Sequence, residues 1–200
     1  MLISETVPAY DLALEAFMAS NGVRDVPGIY HAVRKLAYFS SADRSPEAVM
    51  RDGRGACTAK HILLRDLLRR NGEMAEVELV QGDFAAGMPQ VSSMPAALRD
   101  MIRAAGVPDF HCYVVLQGAE HEVRLDATWP DALAVHGFPV NAGWTGSGDT
   151  RLAITPDGIT RRAEDVIAAK AQLLSVLSVD QAAKRRLFLA LLSDWITTLP

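Results

Sequence analysis

Cysteine is scarce: Cys57 and Cys112 are the only two in 200 residues. Two thiols cannot build a disulfide framework, so a reducing cytoplasm is the expected setting. Long apolar runs are missing too, and none approaches the ~20 residues that a bilayer-crossing helix needs. Met1 to Pro8 has no basic segment and carries Glu5, so no secretory signal is expected there. Neither sign of charge dominates. A net charge of -4 gives no electrostatic reason to expect nucleic acid or a membrane surface as partner. No repeat or low-complexity stretch interrupts the chain. What is there is an ordinary globular composition, 50% hydrophobic and 22% charged, long enough for one core and one domain over residues 1–200.

Apolar spacing predicts the elements. Thr6 caps a first helix with Pro8 in its first turn, running to Asn21-Gly22. A second helix covers Ile29 to Phe39, and Ser45-Pro46-Glu47 starts a short third. Cys57 to Arg70 reads as a strong helix with Ile62, Leu63, Leu64, Leu67 and Leu68 as its apolar stripe and Asn71-Gly72 as its stop. At Ala75, Val77 and Leu79 the period changes to two, which predicts a strand. Ala96 to Ala105 reads as a helix. Phe110 to Gln117 and Glu120 to Ala127 read as strands, Pro130 to Ser147 as loop, and Leu152 to Ile154 as a last short strand. Two helices near 163–177 and 181–199 follow. Helices around a small antiparallel sheet make an α+β fold.

Cys57 stands where the loop Asp52-Gly53-Arg54-Gly55 gives way to the strong helix. A thiol there feels the positive end of the helix dipole and unpaired N–H groups, which favour its thiolate. A base and an orienting carboxylate are sought downstream. If Gly118-Ala119 is a two-residue turn, Gln117 faces Glu120 and His111 faces Asp126 on one side of the hairpin. Tyr113, Val115, Glu122 and Arg124 share that side. Cys112, Val114, Leu116, Val123 and Leu125 form the other, core side. Cys57 would then attack an acyl carbon, His111 would carry the proton, and Asp126 would fix the imidazole tautomer. The Cys57 N–H would be one oxyanion donor, with Tyr38 as a guess for a second.

These residues resemble the transglutaminase-like superfamily, whose papain-like core packs a Cys-bearing helix on a sheet that brings His and Asp. Gly55-Ala56-Cys57 matches the family's helix start. His111 with Tyr113 matches its His before an aromatic, where tryptophan is usual. Asp126-Ala127-Thr128 matches its Asp-Pro-Thr, with Ala in place of Pro. The match spans about residues 29–129; the helices over about 163–199 lie outside it. The resemblance implies Cys57, His111 and Asp126 as catalytic residues, with no cofactor and no metal. It implies a cysteine peptidase or amidohydrolase, or an acyltransferase, working on a peptide or protein amide. The superfamily also holds non-catalytic members, so a scaffold that binds a peptide or partner is the alternative. Arg54-Gly55-Ala56-Cys57 is also similar to a string in arylamine N-acetyltransferases, which are longer.

The remaining candidates are weighed against plainer roles. Cys112 is expected to be a small core hydrophobe, turned away from His111. His61, one turn after Cys57, can reach it, but no orienting carboxylate is evident for it. His31, His121 and His136 show no metal-ligand spacing. Tyr113, Trp129 and Trp144 are the substrate-binding candidates. The two tryptophans either wall an acyl cleft or close the core under a loop. An exposed stripe on the C-terminal helices would make a homodimer.

Overall fold

The computed structural model of the protein describes residues 8–200, so the Thr6 cap lies outside the described residues. The fold is α+β. Helix α1 (Ala9–Ser20) follows Pro8, and α2 (Val26–Lys35) is capped by the Asp25 carboxylate, which accepts from the Gly28 N–H. This second helix starts and ends earlier than the spacing predicts. Pro27 fits its first turn, and past Lys35 the chain turns extended at Leu36. Helix α3 (Pro46–Asp52) is capped by Ser45 and stopped by Gly53 at φ 65. Helix α4 (Cys57–Arg70) has the predicted bounds.

Four strands follow: β1 (Ala75–Asp83), β2 (Pro108–Gln117), β3 (Glu122–Leu125) and β4 (Thr155–Arg162), with α5 (Ala96–Ala104) between the first two. The sheet is antiparallel in the order β3-β2-β1-β4. The last strand starts at Thr155, so the short strand expected at Leu152 to Ile154 is corrected: those residues lead into it. A 3-10 helix (Asp131–His136) punctuates the long loop. Helices α6 (Val166–Leu174) and α7 (Val179–Thr197) close the chain; Ser178 and Gln181 form a capping box at the start of α7.

Two apolar clusters sandwich the sheet. Val77, Leu79, Cys112, Val114 and Leu116 pack on α4 with Val166 and Ala169 of α6. Val80, Tyr113 and Val115 pack on the other side with Leu98 and Ile102 of α5, Phe188 and Leu192 of α7, and Trp129. Residues 109–116 of β2 are therefore buried without alternation. The expectation of a single core side is corrected, because β2 is an inner strand covered on both faces. Among the described residues, no helix is long and apolar enough to cross a membrane.

Candidate active site

The approach to Cys57 is set by backbone. Residues 37–39 run beside 53–55: Gly55 N–H donates to Ala37 O at 2.9 Å and Phe39 N–H to Gly55 O at 3.3 Å. A Cβ on Gly55 would stand 2.7 Å from Val49 Cγ2, so only glycine lets α3 and the start of α4 come this close. Ala56 is the N-cap of α4 and offers no side-chain cap. The first N–H groups of the helix are thus left for whatever sits at Cys57. Cys57 is buried, at 4% exposure.

His111 Nε2 donates to Asp126 Oδ2 at 2.8 Å. Asp126 also accepts from Thr128 N–H at 2.9 Å and Ala153 N–H at 2.6 Å. Burial pushes its carboxyl up, but the His111 charge and these bonds more than offset that and hold it at about 2. His111 Nδ1 is buried and lies outside hydrogen-bond geometry with any group. Cys57 is a further neighbour that the imidazole feels. Burial lowers the imidazole pKa, yet Asp126 and Cys57 together raise it to about 10.

The hairpin that brings these two together differs from the one expected. Its loop has four residues, Gly118 to His121, with Gly118 N–H donating to His121 O at 3.1 Å. Gln117 pairs with Glu122 and Val114 with Leu125, so His111 and Asp126 are not directly opposite. A slip of two residues preserves which face each side chain takes. Asp126 therefore reaches His111 on a diagonal, just past the end of the ladder.

His61 is fully buried, and its ring is occupied. Nδ1 donates to Cys57 O at 2.7 Å, and Nε2 accepts from Ala127 N–H at 2.8 Å. Asp126 Oδ1 stands 3.6 Å from Nε2, so a carboxylate is nearby after all, but that nitrogen already accepts from the Ala127 N–H. Burial keeps the ring neutral, with its pKa lowered to about 4. Neighbouring Lys60, also buried, donates to Arg34 O, Leu36 O and Thr128 O at 3.0, 2.8 and 3.1 Å, tying α2 to the segment after Asp126.

Three charged residues at the site were not foreseen. Lys170 Nζ donates to Cys57 Sγ at 3.5 Å and stands 3.5 Å from Asp109 Oδ1. Arg185 Nε donates to the same Asp109 oxygen at 2.9 Å. All three are buried. Lys170 shares the apolar stripe of α6 with Val166, Ala169 and Leu173, and a lysine on such a stripe is the signal that would have found it. Cys112 was also underrated. It is in the core, as expected, and its thiol donates to Thr58 Oγ1 at 3.7 Å, but it is also a polar neighbour of Cys57. The Cys112 thiol leads the causes that hold the Cys57 pKa well below the usual thiol value; burial opposes it, while Lys170 and His111 add to it. The Cys112 thiol is pushed up in turn, by its neighbour Cys57 and by burial.

Tyr38, Ser40, Arg44, Thr58, Lys170 and Arg185 line a cavity of about 10 Å³ at Cys57, room for about one water. None of the three substrate-binding candidates lines it. Tyr113 is buried and donates to Glu78. Trp129 stacks on Phe84 and against Tyr38, one layer behind the cavity. Trp144 packs edge-on against Tyr30, with ring centroids 4.9 Å apart, and donates to Gly148 O. Among the described residues, no group of three or more His, Cys, Asp or Glu is placed to hold a metal ion.

No protein-family model matches the chain, and no curated protein matches it.

Proposed function

We propose that the chain is a thiol enzyme of transglutaminase-like architecture, acting on an amide or acyl substrate through a thioester on Cys57. One observation carries this reading: His111 commits Nε2 to Asp126 at 2.8 Å, which leaves the buried Nδ1 free to hold or release a proton, and Cys57 is a neighbour that the imidazole feels. The thiolate attacks the acyl carbon and the carbonyl electrons move to oxygen. On collapse, the protonated His111 gives its proton to the leaving amine. Water or an amine then attacks the thioester while His111 takes its proton, so hydrolysis and transfer share one site. A peptide or protein amide in a cytoplasmic setting is the substrate class we favour.

The non-catalytic scaffold is the second reading, and the 4% exposure of Cys57 favours it. Under the enzyme reading, a substrate enters where the lining is only half-buried, at Ser40, Arg44 and Ala56. Incubation with p-nitrophenyl acetate separates the two. The enzyme reading expects one acetyl group on Cys57 by mass spectrometry, none in Cys57→Ala, and slow formation in His111→Ala. An unmodified Cys57 supports the scaffold.

A further inference from the structure

We infer that Lys170 is a further catalytic residue of the Cys57 centre, holding the thiolate and then donating to the oxyanion. The inference rests on the thiol-enzyme reading above. Its geometry is separate from the triad: Lys170 comes from α6, outside the segment that carries His111 and Asp126, and places Nζ 3.5 Å from Cys57 Sγ. The side chain is 2% exposed, so this ammonium is neither solvated nor free to swing away. A buried ammonium needs anions and acceptors. Lys170 has Cys57 Sγ and Asp109 Oδ1, and Asp109 is shared with Arg185. One carboxylate facing two cations leaves one positive charge for the sulfur to balance.

An ammonium carries three N–H donors. Sulfur and Asp109 account for two, and the side chain lines the cavity where an acyl oxygen would lie. When the thiolate forms its C–S bond, the negative charge passes from sulfur through the acyl carbon to the carbonyl oxygen. Lys170 hydrogen-bonds that oxygen without giving up a proton, beside the Cys57 N–H. On collapse the charge leaves with the electron pair of the departing amine, which His111 protonates.

The test is the ultraviolet thiolate absorbance of Cys57 against pH, followed by its acetylation rate with p-nitrophenyl acetate. Wild type should show the thiolate inflection below the ordinary thiol value of about 8.5; if it does not, the thiol-enzyme reading falls and this inference with it. Lys170→Met should move the inflection up by a unit or more, about tenfold less thiolate at a given pH below it. Above both inflections, where thiolate fractions are equal, it should still acetylate about tenfold more slowly. Lys170→Arg should restore the low inflection. An unmoved inflection, or equal rates at high pH, in folded Lys170→Met overturns the inference and leaves the triad reading intact. If Lys170→Met fails to fold, Asp109→Asn decides. It removes the competitor for Nζ, so the inflection should fall or stay. A rise overturns the inference, because it would mean that Lys170 only anchors Asp109.

Discussion

His61 joins α4 to the loop after Asp126: its Nε2 accepts a hydrogen bond from the Ala127 N–H at 2.8 Å and its Nδ1–H donates to Cys57 O at 2.7 Å. Both bonds require the neutral ring. Its folded pKa is lowered to about 4 from an unfolded 6.5, chiefly by burial. Stability from this group is therefore fully present above pH 6.5 and lost as pH falls toward 4. The loss is at most about 3 kcal/mol at about 1.4 kcal/mol per unit. Urea midpoints at pH 7 and pH 4.5 should fall farther in wild type than in His61→Gln. Equal falls would contradict the assigned tautomer.

Asp126→Asn should damage more than the proton relay. The new amide cannot accept from His111 Nε2–H, Thr128 N–H and Ala153 N–H together. A buried donor left unpaired costs about 1–3 kcal/mol. The variant should be less stable by that order in urea, and the wrong imidazole tautomer should slow Cys57 acetylation about 100-fold or more. Unchanged acetylation would remove Asp126 from the mechanism.

Much of this site was legible because it rests on local rules. The Gly-x-Cys helix start and the Asn71-Gly72 stop gave α4 its bounds, and the face shared by His111 and Asp126 survived a wrong turn length because parity alone decides it. The hairpin register was missed because Gly118-Ala119 has the composition of a tight turn, whereas the loop closes two residues later at His121. Lys170, Asp109 and Arg185 were missed for another reason. They meet through packing of α6 and α7 on the sheet, 76 residues apart in sequence for Asp109 and Arg185, and no local period encodes such a meeting.

Gly55 should be intolerant of a side chain. Gly55→Ala drives a methyl to 2.7 Å from Val49 Cγ2, and overpacking of this sort costs about 1–3 kcal/mol. Adding Val49→Ala should recover part of that loss in a thermal melt. Simple additivity of the two losses would show that the clash is not the cause.

Trp144 sits in the same cluster as Tyr30 and Leu64, away from the cavity at Cys57. Trp144→Ala should cost about 3–5 kcal/mol, the range for a large buried aromatic. Binding of a slow acyl donor, measured in the fraction still folded, should be unchanged. A melting temperature that barely moves, beside weakened binding, would restore Trp144 to the cleft wall.

The central claim is that the Cys57 thiol ionises far more readily than that of Cys112, its buried neighbour. Both residues are buried, at 4% and 0% exposure, but Cys57 alone lines the cavity, so His111→Ala is the control that separates ionisation from access. Native protein treated with iodoacetamide at pH 7 and analysed by peptide mass should carry the label on Cys57 long before Cys112, and His111→Ala should narrow the gap. Equal slow labelling of the two cysteines would contradict an activated thiol at the start of α4.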